Sequence, residues 1–460
     1  MIVTVLAFLF TLAVLVVVHE YGHYRVAVAC GVKVLRFSVG FGRVLWRRQR
    51  GADATEFVVC ALPLGGYVKM LDEREGEVPA AELQRAFNRK PLWARSAIVL
   101  AGPLANLLLA VFLYAGAHWI GVQEPKALLG APVAGSLAEQ AGMHAGDWVR
   151  AVAVDDGQGV GDWHDVRSLP DLRWRVTDAA LQGHPLQLRL TDAEGRGPRT
   201  VTLELPPTPA REVDAALAKR IGLGDAYGTP VLSQIQPGSP AAKAGLRAGD
   251  RVLSVDGAAY SDSRSLVERI RGAVRDGRGI AQHWVVQRGA AEVALDVTPN
   301  AELDGQKTIG RIGAGIALQP QMITVRLGPI DGLTEGLRST WDISSLTVRM
   351  LGRMVIGQAS IKNLSGPLTI ADYAGQSVHE GLAYYLGFLA LVSVSLGVLN
   401  LMPLPMLDGG HLMYYIFEAI TGHPVSETWL ERLQRGGIVV LLALMSVALF
   451  NDVVRLLGLH

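Results

Sequence analysis

Three residues near the start of the chain have the types and spacing to work on a peptide bond. They are His19, Glu20 and His23, in the stretch LVVVHEYGHY at 15–24. On a helix, residues four apart share a face, so His19 and His23 can hold one zinc ion through ring nitrogens. Glu20 sits beside them, where a carboxylate can take a proton from a metal-activated water. Residues 1–18 carry no charged side chain, so the triplet falls at membrane depth or its edge. Ionisable groups there are costly and by default point to function. Binding a metal offsets part of that cost, because the imidazoles bind neutral. The plainer alternative is a cluster satisfied by water at the end of an apolar helix.

A catalytic zinc takes three protein ligands and keeps a fourth position open. The third ligand is expected from another helix end at the same depth. The stretch NLMPLPMLDGGH at 400–411 offers two, Asp408 and His411. Pro403 and Pro405 prevent a regular helix there, and Gly409 and Gly410 permit close backbone approach.

The elements that must position these groups read as membrane helices. Of 460 residues, 50% are hydrophobic and 18% charged, and mean hydropathy is +0.28. A net charge of +1 provides no field to recruit nucleic acid, so no nucleic-acid partner is expected. The two cysteines, Cys30 and Cys60, exclude a disulfide framework and a cysteine-rich zinc site. Four runs lack Asp, Glu, Lys and Arg: 1–18, Ala97–Gln123, Gly381–Leu407 and the shorter Gly436–Asn451. A spanning helix needs about 20 apolar residues, so four transmembrane helices are expected. The first run has no basic start and would carry the His and Glu residues inside it, which argues against a cleaved leader. Lysines and arginines crowd 30–95 and are absent before it except for Arg25. The positive-inside rule then places 30–95 in the cytoplasm and the region from about 124 to 380 outside.

Two stretches in that outer region match without gaps: GSLAEQAGMHAGDWVRAV from Gly135 and GSPAAKAGLRAGDRVLSV from Gly238. In each, a short helix runs into Ala-Gly-Asp and then an apolar strand. Asp147 and Asp250 are expected to bond backbone amides at that turn. The pattern resembles PDZ domains in their circularly permuted bacterial form, which bind extended peptides by strand addition. The IGLG stretch at 221–224, with Gly222, Leu223 and Gly224, resembles the carboxylate-binding loop of that family and is assigned to the second copy. From Leu333, a helical stripe of Leu333, Leu337, Trp341, Leu346, Met350 and Met354 fits either the membrane surface or a packing helix beneath the repeat.

Taken with the glycine-punctuated strand pieces VKVLRFSV, GRVLWR, TEFVVCAL and GGYVKML in 32–71, these motifs resemble the site-2 protease family of intramembrane zinc metalloproteases, in its bacterial regulator-of-sigma-E group. The resemblance rests on HEYGH, NLMPLPMLDGG, LPLGGYVKM followed by GPLANLLLA, and the tandem PDZ insertion. It implies Asp408 as third ligand to one Zn2+ per chain and Glu20 as catalytic base. It also implies envelope-stress signalling by regulated intramembrane proteolysis, with a pre-cut single-span protein such as an anti-sigma factor as substrate, and remnant signal peptides as further ones. The location it implies is the bacterial inner membrane, with peptide ligands for the PDZ domains.

Unwinding a substrate helix strands backbone groups that lipid cannot satisfy. The edge Gly66, Tyr67, Val68, Lys69 and Met70 is therefore expected to pair with the unwound substrate, and Asn400 to bond its backbone. The expected fold is a polytopic α-helical membrane protein with four transmembrane helices, a cytoplasmic membrane-associated β region and two periplasmic α+β PDZ domains. The expected order is span 1–29, β region 30–95, span 96–121, PDZ domains 122–215 and 216–305, amphipathic segment 306–380, span 381–404, cytoplasmic loop 405–434 and span 435–456. A membrane PDZ scaffold and a zinc transporter are the competing classes. An intact Glu20 with three metal ligands argues against both.

Overall fold

A computed structural model of the chain describes residues 2–51, 53–155, 161–205, 215–260, 262–304, 307–355 and 366–456. The chain divides into two compact units, one built from Met1–Val122 with Arg326–His460 and the other from Gln123–Val325.

The first unit opens with helix α1, Ile2–Ala29. Its buried residues are Ala7, Thr11, Leu15, His19, His23 and Ala27, one every fourth position. The two histidines therefore continue the stripe that the helix buries. Strands β1, Val34–Arg48, and β2, Glu56–Met70, follow. Each bends at glycine with positive φ, at Gly40 and Gly42 in β1 and at Gly65 in β2. A Cβ on Gly40 would lie 2.4 Å from the Leu62 carbonyl oxygen, and one on Gly65 2.4 Å from the Phe41 ring. Two bent strands thus make four segments. The register pairs 34–39 with both 66–70 and 56–59, and 44–48 with 57–60. The four strand pieces expected from sequence are these segments, and Gly66–Met70 is an outer one.

Helix α2, Leu92–Ile120, buries a matching stripe that includes Ala94, Ile98, Gly102, Asn106, Ala110 and Tyr114. It packs tightly on α1: a Cβ on Gly22 would meet the Ala101 carbonyl oxygen at 2.4 Å.

The second unit holds two modules. In the first, α3 (Leu137–Gln140), α4 (Leu169–Gln182) and α5 (Ala215–Ile221) flank a four-stranded sheet of His164–Asp165, Trp148–Val154, Leu186–Thr191 and Arg199–Leu203. In the second, α6 (Pro240–Lys243) and α7 (Ser263–Gly272) flank a sheet ordered Ala291–Val297, Gln282–Arg288, Arg251–Val255, Gly228–Ile235 and Ala314–Pro320. The repeat is visible in the bonds. Ser136 and Ser239 cap their short helices, each accepting from a backbone N–H three residues on at 3.3 Å. Asp147 accepts from the backbone of His144 at 2.7 Å, and Asp250 from that of Arg247 at 2.8 Å. Each aspartate also takes an arginine, Arg199 or Arg288, from a following strand.

The module borders differ from those expected. Leu217 and Ile221 are buried in the first module's core, with Leu223 packed against it. Gly222, Leu223 and Gly224 therefore complete the first module and do not open the second. The equivalent piece of the second module is Gly310–Ile316, which runs into the strand Ala314–Pro320 beyond the expected border at 305.

The first unit resumes with α8, Pro329–Val355. A Cβ on Gly336 would meet the Val111 carbonyl oxygen at 2.3 Å, and one on Gly332 the Trp119 ring. Glycines thus seat α8 on α2, while Leu337, Trp341 and Leu346 of its apolar stripe stay exposed. Then come α9 (Pro367–Glu380), α10 (Leu382–Asn400), α11 (Asp408–Thr421) and α12 (Glu427–Leu456). Among the described residues, three helices are long and apolar enough to cross a membrane: α1, α2 and α10. The fourth expected run lies inside α12, whose first turns are charged.

Candidate metal centre

Helix α10 ends at Asn400, and Pro403 and Pro405 follow in the loop before α11. Asp408 is the first residue of α11, where a carboxylate also suits the positive end of the helix dipole. The two glycines after it let the helix start press on its own loop. A Cβ on Gly409 would meet the Met402 carbonyl oxygen at 2.2 Å, and one on Gly410 that of Leu404 at 2.3 Å.

This turn brings Asp408 to the histidines of α1. Its Oδ2 lies 3.1 Å from His19 Nε2 and 3.5 Å from His23 Nε2, and the two Nε2 atoms are 3.2 Å apart. Tetrahedral zinc with bonds of about 2.0–2.1 Å puts its ligand atoms about 3.3 Å apart. The three distances fit that triangle. Among the described residues, Asp408 Oδ2 is buried with no well-formed hydrogen bond. His23 Nδ1 bonds the Ile98 carbonyl oxygen at 2.8 Å. A carbonyl only accepts, so Nδ1 carries the proton and Nε2 presents a lone pair. The donor set therefore fits zinc.

Helix α2 shapes the other side. A Cβ on Gly102 would stand 2.3 Å from His23 Nε2 and 2.9 Å from His19 Cε1, so only glycine leaves room for both rings. Asn106, one turn on, is fully buried, with Nδ2 3.2 Å from His19 Nδ1. Sequence reading missed Gly102 and Asn106 as site residues. The signal was there: an asparagine inside an apolar spanning run, four residues after a glycine.

The backbone N–H of Val68 lies near the Glu20 carboxylate. Gly66 lies against it as well, since a Cβ there would meet Glu20 Cγ at 3.2 Å and Val16 Cγ1 at 3.1 Å. The outer β2 segment Gly66–Met70 thus borders the base. Tyr67 contacts Arg36 through its hydroxyl, and Lys69 pairs with Glu75. His411 is half-buried one turn beyond Asp408 with its ring edge-on to Tyr414, and it is outside the three-residue cluster. Asn400 stands at the last turn of α10, at the start of the loop that carries Asp408.

The two modules of the second unit carry matching grooves. One of 560 Å3 is lined by Arg173 and Val176 of α4 and by Ala218, Ile221 and Leu223. The other, of 620 Å3, is lined by Val267 and Ile270 of α7 and by Ile309, Gly313 and Ile316.

The model of peptidase family M50 matches residues 7–444. A Ralstonia nicotianae protein whose name proposes a zinc metalloprotease is 43% identical over 468 residues, covering 99% of both chains. The regulator of sigma-E protease RseP of Escherichia coli is 39% identical over 462 residues, covering 98% of both. The regulator of sigma E protease of Salmonella typhi is 40% identical over 455 residues, also covering 98% of both.

Proposed function

The chain belongs to peptidase family M50, the site-2 zinc metalloproteases, and on that footing we propose that it cleaves a pre-cut single-span membrane protein within its transmembrane segment. The observation that carries the reading is the triangle of His19, His23 and Asp408 with Glu20 beside it. Bound there, zinc would supply a Lewis acid that lowers the pKa of a water to about 7 and polarises a carbonyl. Glu20 takes the proton of the attacking water and returns one to the leaving amide nitrogen. The Gly66–Met70 segment packs against that carboxylate's stem, a Cβ on Gly66 falling 3.2 Å from Glu20 Cγ.

The outer strand segment Gly66–Met70 supports the second part of the reading. Backbone groups of an unwound substrate need partners, and a strand edge beside the base supplies them. Asn400 serves the same backbone. The relatives named as regulators of sigma-E support an anti-sigma factor as substrate, in envelope-stress signalling, with remnant signal peptides as further substrates. The lysine and arginine bias supports a cytoplasmic active site, periplasmic PDZ modules and a fourth span within α12. The matching grooves support peptide binding by both modules.

The test is Glu20→Gln in detergent-purified protein given a transmembrane anti-sigma stub. Cleavage should fall by about 10²–10⁴-fold with zinc content unchanged, and a chelator should abolish wild-type cleavage. A variant that cuts as fast as wild type removes Glu20 from the mechanism. A scaffold would show no zinc-dependent cleavage in any arm.

A further inference from the structure

We propose that Asn106 is a positioning residue for His19: in the zinc-loaded protein its side-chain oxygen accepts the Nδ1–H of that ligand. The inference rests on the zinc reading above.

Metal binding at Nε2 requires the proton of a neutral imidazole to sit on Nδ1. An Nδ1–H needs an acceptor, and zinc-bound histidines regularly find one in a carbonyl, carboxylate or water. His23 meets the requirement through the Ile98 carbonyl at 2.8 Å. For His19 the group at hand is the Asn106 carboxamide, 0% exposed. Here its nitrogen faces Nδ1 at 3.2 Å. Its oxygen is buried with no hydrogen-bond partner among the described residues. A donor facing Nδ1 suits a histidine whose proton is on Nε2, which cannot bind metal. Turning the carboxamide by half a rotation exchanges two atoms of nearly equal size. It gives the orphaned oxygen a donor and the Nδ1–H an acceptor in one move.

The surroundings hold the residue in place for this role. Ser393 of α10, also 0% exposed, donates to the Asn106 backbone carbonyl at 2.7 Å. Ile98, Gly102 and Asn106 fall every fourth residue on the buried stripe of α2. One helix face therefore holds the outer nitrogens of both histidines and the gap between them.

The experiment measures zinc affinity by chelator competition on the full chain in detergent. Asn106→Leu should weaken binding on the order of 10–100-fold, the range for lost support behind a ligand. Asn106→Asp keeps an acceptor and should bind within about threefold of wild type or tighter, since a carboxylate raises ligand basicity. Gly387→Ala, whose added Cβ meets no atom within 4 Å, should match wild type. Equal affinity in Asn106→Leu overturns the inference, and so does an Asn106→Asp variant as weak as Asn106→Leu. If Asn106→Leu fails to fold, 15N-histidine spectra of zinc-loaded wild type decide: an Nδ1 without a proton on His19 overturns the inference. Wild-type protein that holds no zinc overturns the reading beneath it, whereas wild-type zinc binding with an indifferent Asn106 overturns this inference alone.

Discussion

At the residue scale, the site is set as much by what is missing as by what binds. Gly102 has no side chain because both imidazoles occupy the space where one would stand. Gly102→Ala should displace the rings and weaken zinc binding on the order of 10–100-fold, read by metal analysis of purified protein. Gly387→Ala is the control, since no atom lies within 4 Å of its added Cβ. A Gly102→Ala variant with full zinc would show that the rings have freedom the packing denies them. A second residue-scale prediction concerns Asp250, 1% exposed. Burial pushes its carboxyl up, but the Arg288 fork and the Arg247 backbone N–H outweigh it and hold the carboxyl below its ordinary value. A depressed folded pKa contributes stability above the unfolded value of about 3.9, and loses it as pH falls through the folded value. Asp250→Asn should therefore destabilise the second module near neutral pH. The gap to wild type should close below about pH 4, the unfolded carboxylate value, in denaturant titrations followed across pH. A gap that does not narrow as pH falls below about 4 would mean packing, and not charge, carries the effect.

At the element scale, the fold uses side chains from distant helices to finish helix ends. Asp452 of α12 is 1% exposed and accepts from the backbone N–H groups of Gly366, Leu368 and Thr369 and from the Thr369 hydroxyl, at 2.5–3.1 Å. These are the first amides of α9, which have no partners within their own helix. Asp452→Ala leaves them buried and unpaired, at a cost of about 1–3 kcal/mol. Hydrogen exchange at residues 366–371 should accelerate accordingly, and unchanged protection there would show that α9 needs no cap from α12. Much at this scale was legible in the sequence. The four strand pieces were marked by glycines because only glycine turns a strand that sharply with positive φ. The helix carrying both histidines was marked by an apolar run of the right length. Asn106 stood out as a polar residue in an apolar run, but which group it faces appears only when α2 lies against α1. The IGLG stretch was assigned to the second copy, but Ile221 and Leu223 pack into the first module's core. A loop met just before the second repeat thus completes the first, through long-range packing that spacing along the chain does not display.

At the scale of the whole molecule, the proposed metal site joins segments from both ends of one unit. His19 and His23 come from α1, and Asp408 from α11 nearly four hundred residues later. Both lie in the unit formed by Met1–Val122 and Arg326–His460, while Gln123–Val325 closes its own cores. The repeat led to a pair of modules expected over 122–305, against a unit that runs from Gln123 to Val325. Metal bound only by the folded state stabilises it by about 2.7 kcal/mol at a hundred times the dissociation constant. Removing zinc should withdraw that stability from the unit that holds the ligands. In hydrogen exchange read by mass spectrometry, chelator should raise exchange in α1, α2 and α11 and leave 123–325 as it was. The residues that respond first should be those around 19–23, 98–106 and 408–411, because each borders a ligand atom. Equal loosening of the repeat unit would mean that the metal's contribution spreads beyond the segments it joins, and no loosening anywhere would mean that the triangle of His19, His23 and Asp408 is held by packing alone.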